Sequence, residues 1–500
     1  MRHKNAVAFF MIVTLWSLAA QANAGTITAS SCSVIDINNA ITAANIGDTV
    51  LVPEGNCNWD ATPAGGGLVN ISKEINLIGA GKGKTNITIT NASPNFYNAI
   101  QTGANNWRIS GFSFTTSASR NRVIATSSYG WRIDNNKFNG FHYPIFSGGK
   151  AFSSSVSSVI DHNEFYGGGV QVYWPNVEPA WTEPTDLGSH KFLFIEDNKF
   201  SDANSLEAIL HVVAMNAQAR VVTRYNDIVI EAGSGIGDAI DAHGQSHGDY
   251  IRSTRAYEIY GNRFTMTARS YPSSAVYLRG GTGVVHGNSF LSSYGRGGAI
   301  ALNEIRACED GYTTGSDGNI GYGWSTTARC TATYYRLKIS ANPWSIFTWT
   351  TYGHGIEITG KRSGARATIM TMGGVYLYFL EEPSAQFEIG EQLQTGCPNA
   401  CVDRVATAGE YEIQHGEGYP CLDQVGRGQG QSAEPIYIWG NSGNDAVVLF
   451  GDGAAGLENY IVEQRDYIRG VMPGYVPYEY PHPLTKTTTL TPPGNLRLPQ

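Results

Sequence analysis

Charge is the scarcest ingredient of this 500-residue chain. Asp, Glu, Lys and Arg together make up 15% of it, where about a quarter is usual in globular proteins. The balance is acidic, with a formal net charge of −8, and Lys and Arg nowhere form a run. Electrostatic binding to nucleic acid is thereby excluded. Beyond the N-terminal segment no apolar stretch is long enough to span a bilayer. Cysteine is sparse and odd in number, seven, so at least one thiol is free or pairs between chains. Cys397-Pro-Asn-Ala-Cys401 has neither a second such pair nor a histidine pair to complete a metal clip, and points to a local disulfide. What the chain has in quantity is glycine, 59 residues, in a composition still 42% hydrophobic. A chain so apolar is not disordered. So much glycine with so little charge suits many short strands joined by tight turns.

The N-terminus reads as an export signal over residues 1–24. Arg2, His3 and Lys4 precede an apolar run from Ala6 to Ala20, and Ala22-Asn23-Ala24 is a small-x-small cleavage site. The expected location is therefore secreted, extracellular or at the cell surface, or the periplasm, with no membrane span after cleavage. Such compartments permit disulfides.

One phrase then recurs: β-branched or aromatic residues, Asn, one variable residue, and usually Phe. It occurs around Asn136-Lys137-Phe138, Asn163-Glu164-Phe165, Asn198-Lys199-Phe200, Asn262-Arg263-Phe264 and Asn288-Ser289-Phe290, with Asn226 in a variant. The asparagines at 136, 163, 198, 226, 262 and 288 step by 27, 35, 28, 36 and 26 residues. A period in the twenties, lengthened by insertions, marks a solenoid, because a short strand cannot bury its face until the next coil stacks on it. Asparagine suits the corner: it tolerates the left-handed conformation, and stacked amides can hydrogen-bond from coil to coil. The Phe that follows is expected to stack in the core.

This pattern resembles the right-handed parallel β-helix of the pectin-lyase-like superfamily over roughly residues 32 to 304, resuming near 431. Asp48 to Gly55 looks like the first coil, and Ile75 to Gly81 with Thr85 to Ile89 like the second. Ile35, Ile37, Ala40, Ile41 and Ala44, at helical spacing, would form a cap over the open end of the core. The expected fold is thus all-β: a β-helix over 25–304 with a short helical cap, an inserted β-rich module over 305–430, and last coils with a Pro/Tyr-rich cap over 431–500. In the insertion, 365–371, 375–380 and 387–393 read as strands. The superfamily includes lyases, hydrolases, esterases, epimerases and adhesins, and the resemblance implies an extracellular polysaccharide as partner.

The densest polar constellation lies between residues 211 and 286. Asp238, Asp241, His243, His247 and Asp249 crowd one Gly-rich stretch, and His211, Arg220, Arg224, Arg252, Arg255, Glu258, Arg279 and His286 flank it. A stripe of cations beside an acidic loop suits a uronic-acid polymer, because removing a proton next to a carboxylate needs charge neutralisation and a base. Tyr277-Leu278-Arg279-Gly280-Gly281 resembles the Arg-Gly phrase of polysaccharide lyase family six. Where that family has Lys-Ser, this chain has Arg252-Ser253. That family's lysine is missing here; the expected activity is a lyase acting on an acidic glycan, with Arg279 and Arg252 on the uronate and His243 or Arg255 as base. His211, Arg220, Arg224, His247 and Glu258 would bind substrate, and Asp238, Asp241 and Asp249 could hold a cation such as Ca2+. Asp238 and Asp241 with His243-Gly244 also resemble the cluster of polygalacturonase-like glycosidases, which implies acid–base hydrolysis. A non-catalytic adhesin is the third expectation.

Overall fold

A computed structural model of the chain describes residues 24–60, 68–90, 97–116, 121–174, 183–201, 211–230, 238–244, 253–266, 274–295, 297–303, 313–314, 320–321, 334–340, 356–369, 371–373, 376–379, 382–395, 406–414, 425–428, 432–449 and 461–486. Residues 1–23 of the expected export signal, and Cys308, Cys330, Cys397, Cys401 and Cys421, lie outside these residues. Three long parallel sheets, of 12, 10 and 10 strands, form a right-handed parallel β-helix. Each coil visits the 10-stranded sheet C, then the 12-stranded sheet A, then the 10-stranded sheet B. The coil Val69–Ile71, Asn76–Gly79, Thr85–Thr90 shows the order.

Parallel stacking puts equivalent side chains in register, so the core is a set of columns. On sheet A the inward column is Ile109, Ile133, Ile160, Ile195, Thr223, Ile259, Val285 and Ile438. Sheet B contributes the expected phenylalanine stack: Phe114, Phe138, Phe165 and Phe200 follow at centroid spacings of 5.6, 5.0 and 4.5 Å. Ile228 interrupts it before Phe264 and Phe290 resume at 5.1 Å. One member of the sheet A column is out of character. Thr223 is fully buried, and its hydroxyl has no hydrogen-bond partner among the described residues. Replacing it with Val removes a buried, unsatisfied polar group at nearly constant shape. Thr223→Val is therefore expected to stabilise the protein by about 1–2 kcal/mol in denaturant unfolding. A loss of stability would mean that the hydroxyl is satisfied.

The asparagine corner works differently from the expectation. The left-handed residue is the one before each ladder asparagine: Asn135, His162, Asp197 and Tyr225 have φ between 52° and 56°, and Gly261 and Gly287 stand at 66° and 62°. The ladder asparagines are not among the positive-φ residues; their amides make the coil-to-coil bonds. The backbone N–H of Asn136 donates to Asn163 Oδ1 at 3.0 Å, Asn163 to Asn198 at 2.9 Å, and Asn198 to Asn226 at 3.0 Å. The Nδ2 of Asn198 also donates to a carbonyl of the preceding coil, Ile160, and to one of its own corner, Glu196. A buried turn needs these partners, because the backbone there has left the sheet.

Helix Val34–Ala43 covers the first coil, capped by the Ser33 side chain on the Asp36 amide, with Ile37, Ala40 and Ile41 buried against the core. Cys32 and Cys57 form a disulfide beside it. Between Phe290 and the strand Ile436–Trp439, which pairs directly with Thr282–His286, a seven-stranded antiparallel sheet builds the inserted module. Its strands include Arg366–Ile369, Thr371–Gly373, Tyr376–Phe379 and Gln392–Thr395, around a separate core of Leu337, Ile358, Leu377, Phe379 and Phe387. Phe387 belongs to that core, but its strand begins later than the alternation suggests.

The outer face of sheet A is covered by residues 183–191 and 471–486. Buried side chains, not strand pairing, hold these segments down. Arg132 Nη1 donates to Leu484 O at 3.2 Å, and Arg224 donates to Tyr478 O and Glu479 O at 2.8 and 2.9 Å. Glu196 accepts from the His482 amide at 2.8 Å. The His482 ring is buried; its Nδ1 accepts from the Leu484 amide, so Nε2 carries the proton and donates to Ser157 Oγ at 2.7 Å. Burial, and then the charge of Arg224, push its pKa down from 6.5 to about 3. A histidine with a depressed folded pKa contributes stability that is present above 6.5 and is lost as pH falls toward 3. Acidification across that window should therefore free residues 471–486. His482→Gln is expected to flatten that part of the pH dependence of thermal unfolding; an unchanged profile would refute the assignment.

Candidate functional site

On sheet C the alternation decides what faces out. Ile240 and Ala242 point into the core, so Asp241 between them points outward. It lies in register with Ala214 on one side and with Tyr277, then Ala301, on the other. One outward position further along each coil stand Asn216, His243, Arg279 and Asn303. Two short columns thus run side by side across four coils, one with alanines at its two ends around Asp241 and Tyr277, and one polar throughout.

Asp241 ties them together. Arg279 grips it with two hydrogen bonds, Nε to Oδ1 at 2.9 Å and Nη2 to Oδ2 at 2.5 Å. His211 Nε2 lies 3.3 Å from the same Oδ2. Burial alone would raise the Asp241 carboxyl; the positive charge of Arg279, with His211 and His243 beyond it, outweighs that and brings its pKa down to about 2. The pair raises Arg279 further above its already high value despite burial. His243 Nδ1 sits 2.7 Å from Gly244 O. A carbonyl only accepts, so Nδ1 holds a proton, and in the neutral ring Nε2 would be the basic nitrogen. The Arg279 guanidinium lies 5.1 Å over the Tyr277 ring, and the Tyr277 hydroxyl is 2.5 Å from the Asn303 side-chain amide.

The glycines beside these residues have a structural cause. A Cβ on Gly244 would come 2.7 Å from the carbonyl oxygen of Arg279, and Gly281, at φ +73°, would place one 2.2 Å from that of Thr254. Gly244 and Gly281 are glycines because adjacent coils pass too closely there for a side chain.

The other residues of the constellation go elsewhere. Arg224 and Glu258 face outward on sheet A, beneath the covering segments: Glu258 accepts from the Gly188 amide at 2.6 Å and from the Tyr475 hydroxyl at 2.5 Å. Burial raises its pKa. Arg220 and Arg255 stand where the chain enters sheet A and donate to the carbonyls of Pro184 and Thr185, and of Glu183, respectively. Burial, then the neighbouring charge of Arg255, lowers Arg220 to about 10. His286 is stacked between Tyr260 and Trp439, and burial holds it down at about 4. The arginines therefore do not make one stripe: Arg279 serves sheet C, while Arg220, Arg224 and Arg255 serve the cover of sheet A. Arg252, His247 and Asp249 lie outside the described residues. Asp238 accepts from the Ser274 amide at 2.8 Å. Among the described residues no group of three His, Cys, Asp or Glu side chains converges to hold a metal ion, so Asp238 and Asp241 make no such site by themselves.

Tyr277 and Asn303 belong to this cluster, although neither has a site role on sequence grounds. The one legible signal was that Tyr277 precedes Arg279 by two residues, which puts both on the same face of a strand. Chemically, the cluster offers a fixed cation, a carboxylate that this cation keeps ionised, and an imidazole beside them.

No protein-family model and no curated protein sequence matches the chain. Among solved structures, the crystal structure of an alginate lyase from Paenibacillus sp. str. FPU-7 is similar over 53% of this chain and 94% of that one, with 14% sequence identity and a TM-score of 0.33.

Proposed function

We propose that the chain is an exported protein that cleaves an acidic, uronate-containing polysaccharide by lyase-type elimination on the outer face of sheet C. The observation that carries this reading is the polar column there, in which His243 and Arg279 occupy successive coils and Asp241 orients the Arg279 guanidinium. Arg279 would meet the uronate carboxylate and stabilise the charge that builds up as the neighbouring proton leaves. His243 Nε2 would take that proton. The electron pair forms the carbon–carbon double bond and expels the glycosidic oxygen, which leaves protonated by solvent or by the histidinium. The Cys32–Cys57 disulfide supports an oxidising, exported setting. Acid–base hydrolysis is the weaker enzymatic reading, since Arg279 keeps Asp241 ionised and unable to act as the acid.

A non-catalytic role as a glycan-binding surface protein is favoured by one fact: Asp241 and Arg279 are already paired with each other. Incubation with alginate, pectate and glycosaminoglycans separates the readings. Elimination produces unsaturated ends that absorb in the ultraviolet, hydrolysis produces reducing ends without that absorbance, and a binding protein retains the polymer and releases neither. Absence of both products with all these substrates would sink the enzymatic readings.

A further inference from the structure

Asn303 is out of place as a structural residue. It follows the strand Ile300–Leu302, its backbone N–H donates to Leu278 O at 2.8 Å, and it occupies the outward position one coil beyond Arg279. Its side chain is 1% exposed. One amide atom meets the Tyr277 hydroxyl at 2.5 Å; the other, Oδ1, has no hydrogen-bond partner among the described residues. The conclusion holds whichever way the amide is turned, because a hydroxyl can give or take a hydrogen bond and one amide atom is left over in either case. A buried polar atom without a partner costs stability, and no described residue accounts for it here. The neighbouring outward positions do not crowd it: Ala301 stands beside Tyr277 in the adjacent column. The Tyr277 ring in turn lies under the Arg279 guanidinium, so the amide, the phenol and the cation are linked by direct contacts.

We propose that Asn303 and Tyr277 form a hydroxyl-recognising subsite for the sugar unit next to the one whose carboxylate Arg279 receives. An amide paired with a phenol offers a donor and an acceptor side by side, which matches a sugar hydroxyl and not a second carboxylate. The leftover amide atom, which has no partner among the described residues, would gain one from the glycan. Sites built this way discriminate strongly, because a ligand lacking the hydroxyl leaves the protein group buried and unpaired. The inference rests on the proposed action at sheet C, and makes Asn303 a specificity-determining residue of it.

Asn303→Leu, close in shape and without polar atoms, provides the test. If the amide exists for ligand, the free variant melts at or above the wild-type temperature, because an unsatisfied group has been removed. A structural amide gives the opposite, a clear drop. Alginate and pectate oligosaccharides should raise the wild-type melting temperature and leave Asn303→Leu unmoved; where cleavage occurs, KM should rise by about tenfold or more with kcat less affected. Tyr277→Phe, which keeps the ring under Arg279, should show the same loss of response. A drop in the free variant, a retained ligand response, or no response of the wild type to any of these oligosaccharides would overturn the subsite. Cleavage with unchanged KM in Asn303→Leu would overturn it while leaving the lyase reading intact. A ligand response without any cleavage would overturn the lyase reading and leave the subsite standing.

Discussion

Arg224→Met is expected to cost about 3–5 kcal/mol of stability and to release the C-terminal segment, read by denaturant unfolding and by proteolysis of residues 471–486. Arg224 and Glu196 are both fully buried, joined through Nε to Oε2 at 2.7 Å. The remaining donors of the guanidinium go to the Tyr260 hydroxyl at 2.8 Å and to the carbonyls of Tyr478 and Glu479. One side chain therefore neutralises a buried carboxylate and anchors the segment that covers it. Without it, Glu196 keeps only the His482 amide among these partners. Its carboxyl is already raised by burial, and losing the arginine raises it further. A carboxyl with a raised folded pKa contributes stability below its unfolded value of 4.5 and loses it as pH rises through the folded value. The defect should therefore grow with pH, and Arg224→Met/Glu196→Met should recover much of it. A single variant within about 0.5 kcal/mol of wild type would show that the pair is not buried in solution.

Arg279→Ala should lower the proposed cleavage by about two to three orders of magnitude, the scale of losing one preorganised group at developing charge. It also strands the carboxylate of Asp241, so destabilisation must be separated from lost chemistry. Arg279→Lys keeps the charge but cannot form the two-pronged contact with Asp241, and should fall between the wild type and the alanine variant. Asp241→Asn leaves the guanidinium in place but loosens it, and also removes a carboxylate that the folded protein keeps ionised. That carboxylate contributes stability above its unfolded value of 3.8 which is lost only as pH falls toward 2. The asparagine variant should therefore differ from wild type most at neutral pH and least below the folded value. Full cleavage by a well-folded Arg279→Ala protein would remove Arg279 from the chemistry.

The solenoid was legible because it repeats. Asn136, Asn163, Asn198, Asn226, Asn262 and Asn288 recur since each accepts a backbone bond from the coil before it and donates its Nδ2 to a carbonyl of that coil. The phenylalanines recur because stacked coils place them over one another. The helical cap was legible for the same reason: one apolar stripe at helical spacing needs one open core end. The corner itself was misread by one residue, because asparagine both tolerates the left-handed conformation and makes the ladder, and the chain gives those tasks to neighbouring positions.

Which polar residues share a face was not legible. Between residues 211 and 286 the chain passes each sheet in turn, and side chains a few positions apart can end on different faces. Strand alternation put Asp241, His243, Tyr277 and Arg279 on one side of sheet C, given the strand boundaries. That Arg220, Arg224, Arg255 and Glu258 would hold down two covering segments depended on residues 183–191 and 471–486, far away along the chain. Local pattern therefore determined the repeat, its ladder and its core, since these rest on contacts between equivalent positions of neighbouring coils. Only the tertiary structure decided which charges are structural and which gather at sheet C, since that depends on which segments fold back over each face, and a buried charge takes the partners that arrive there.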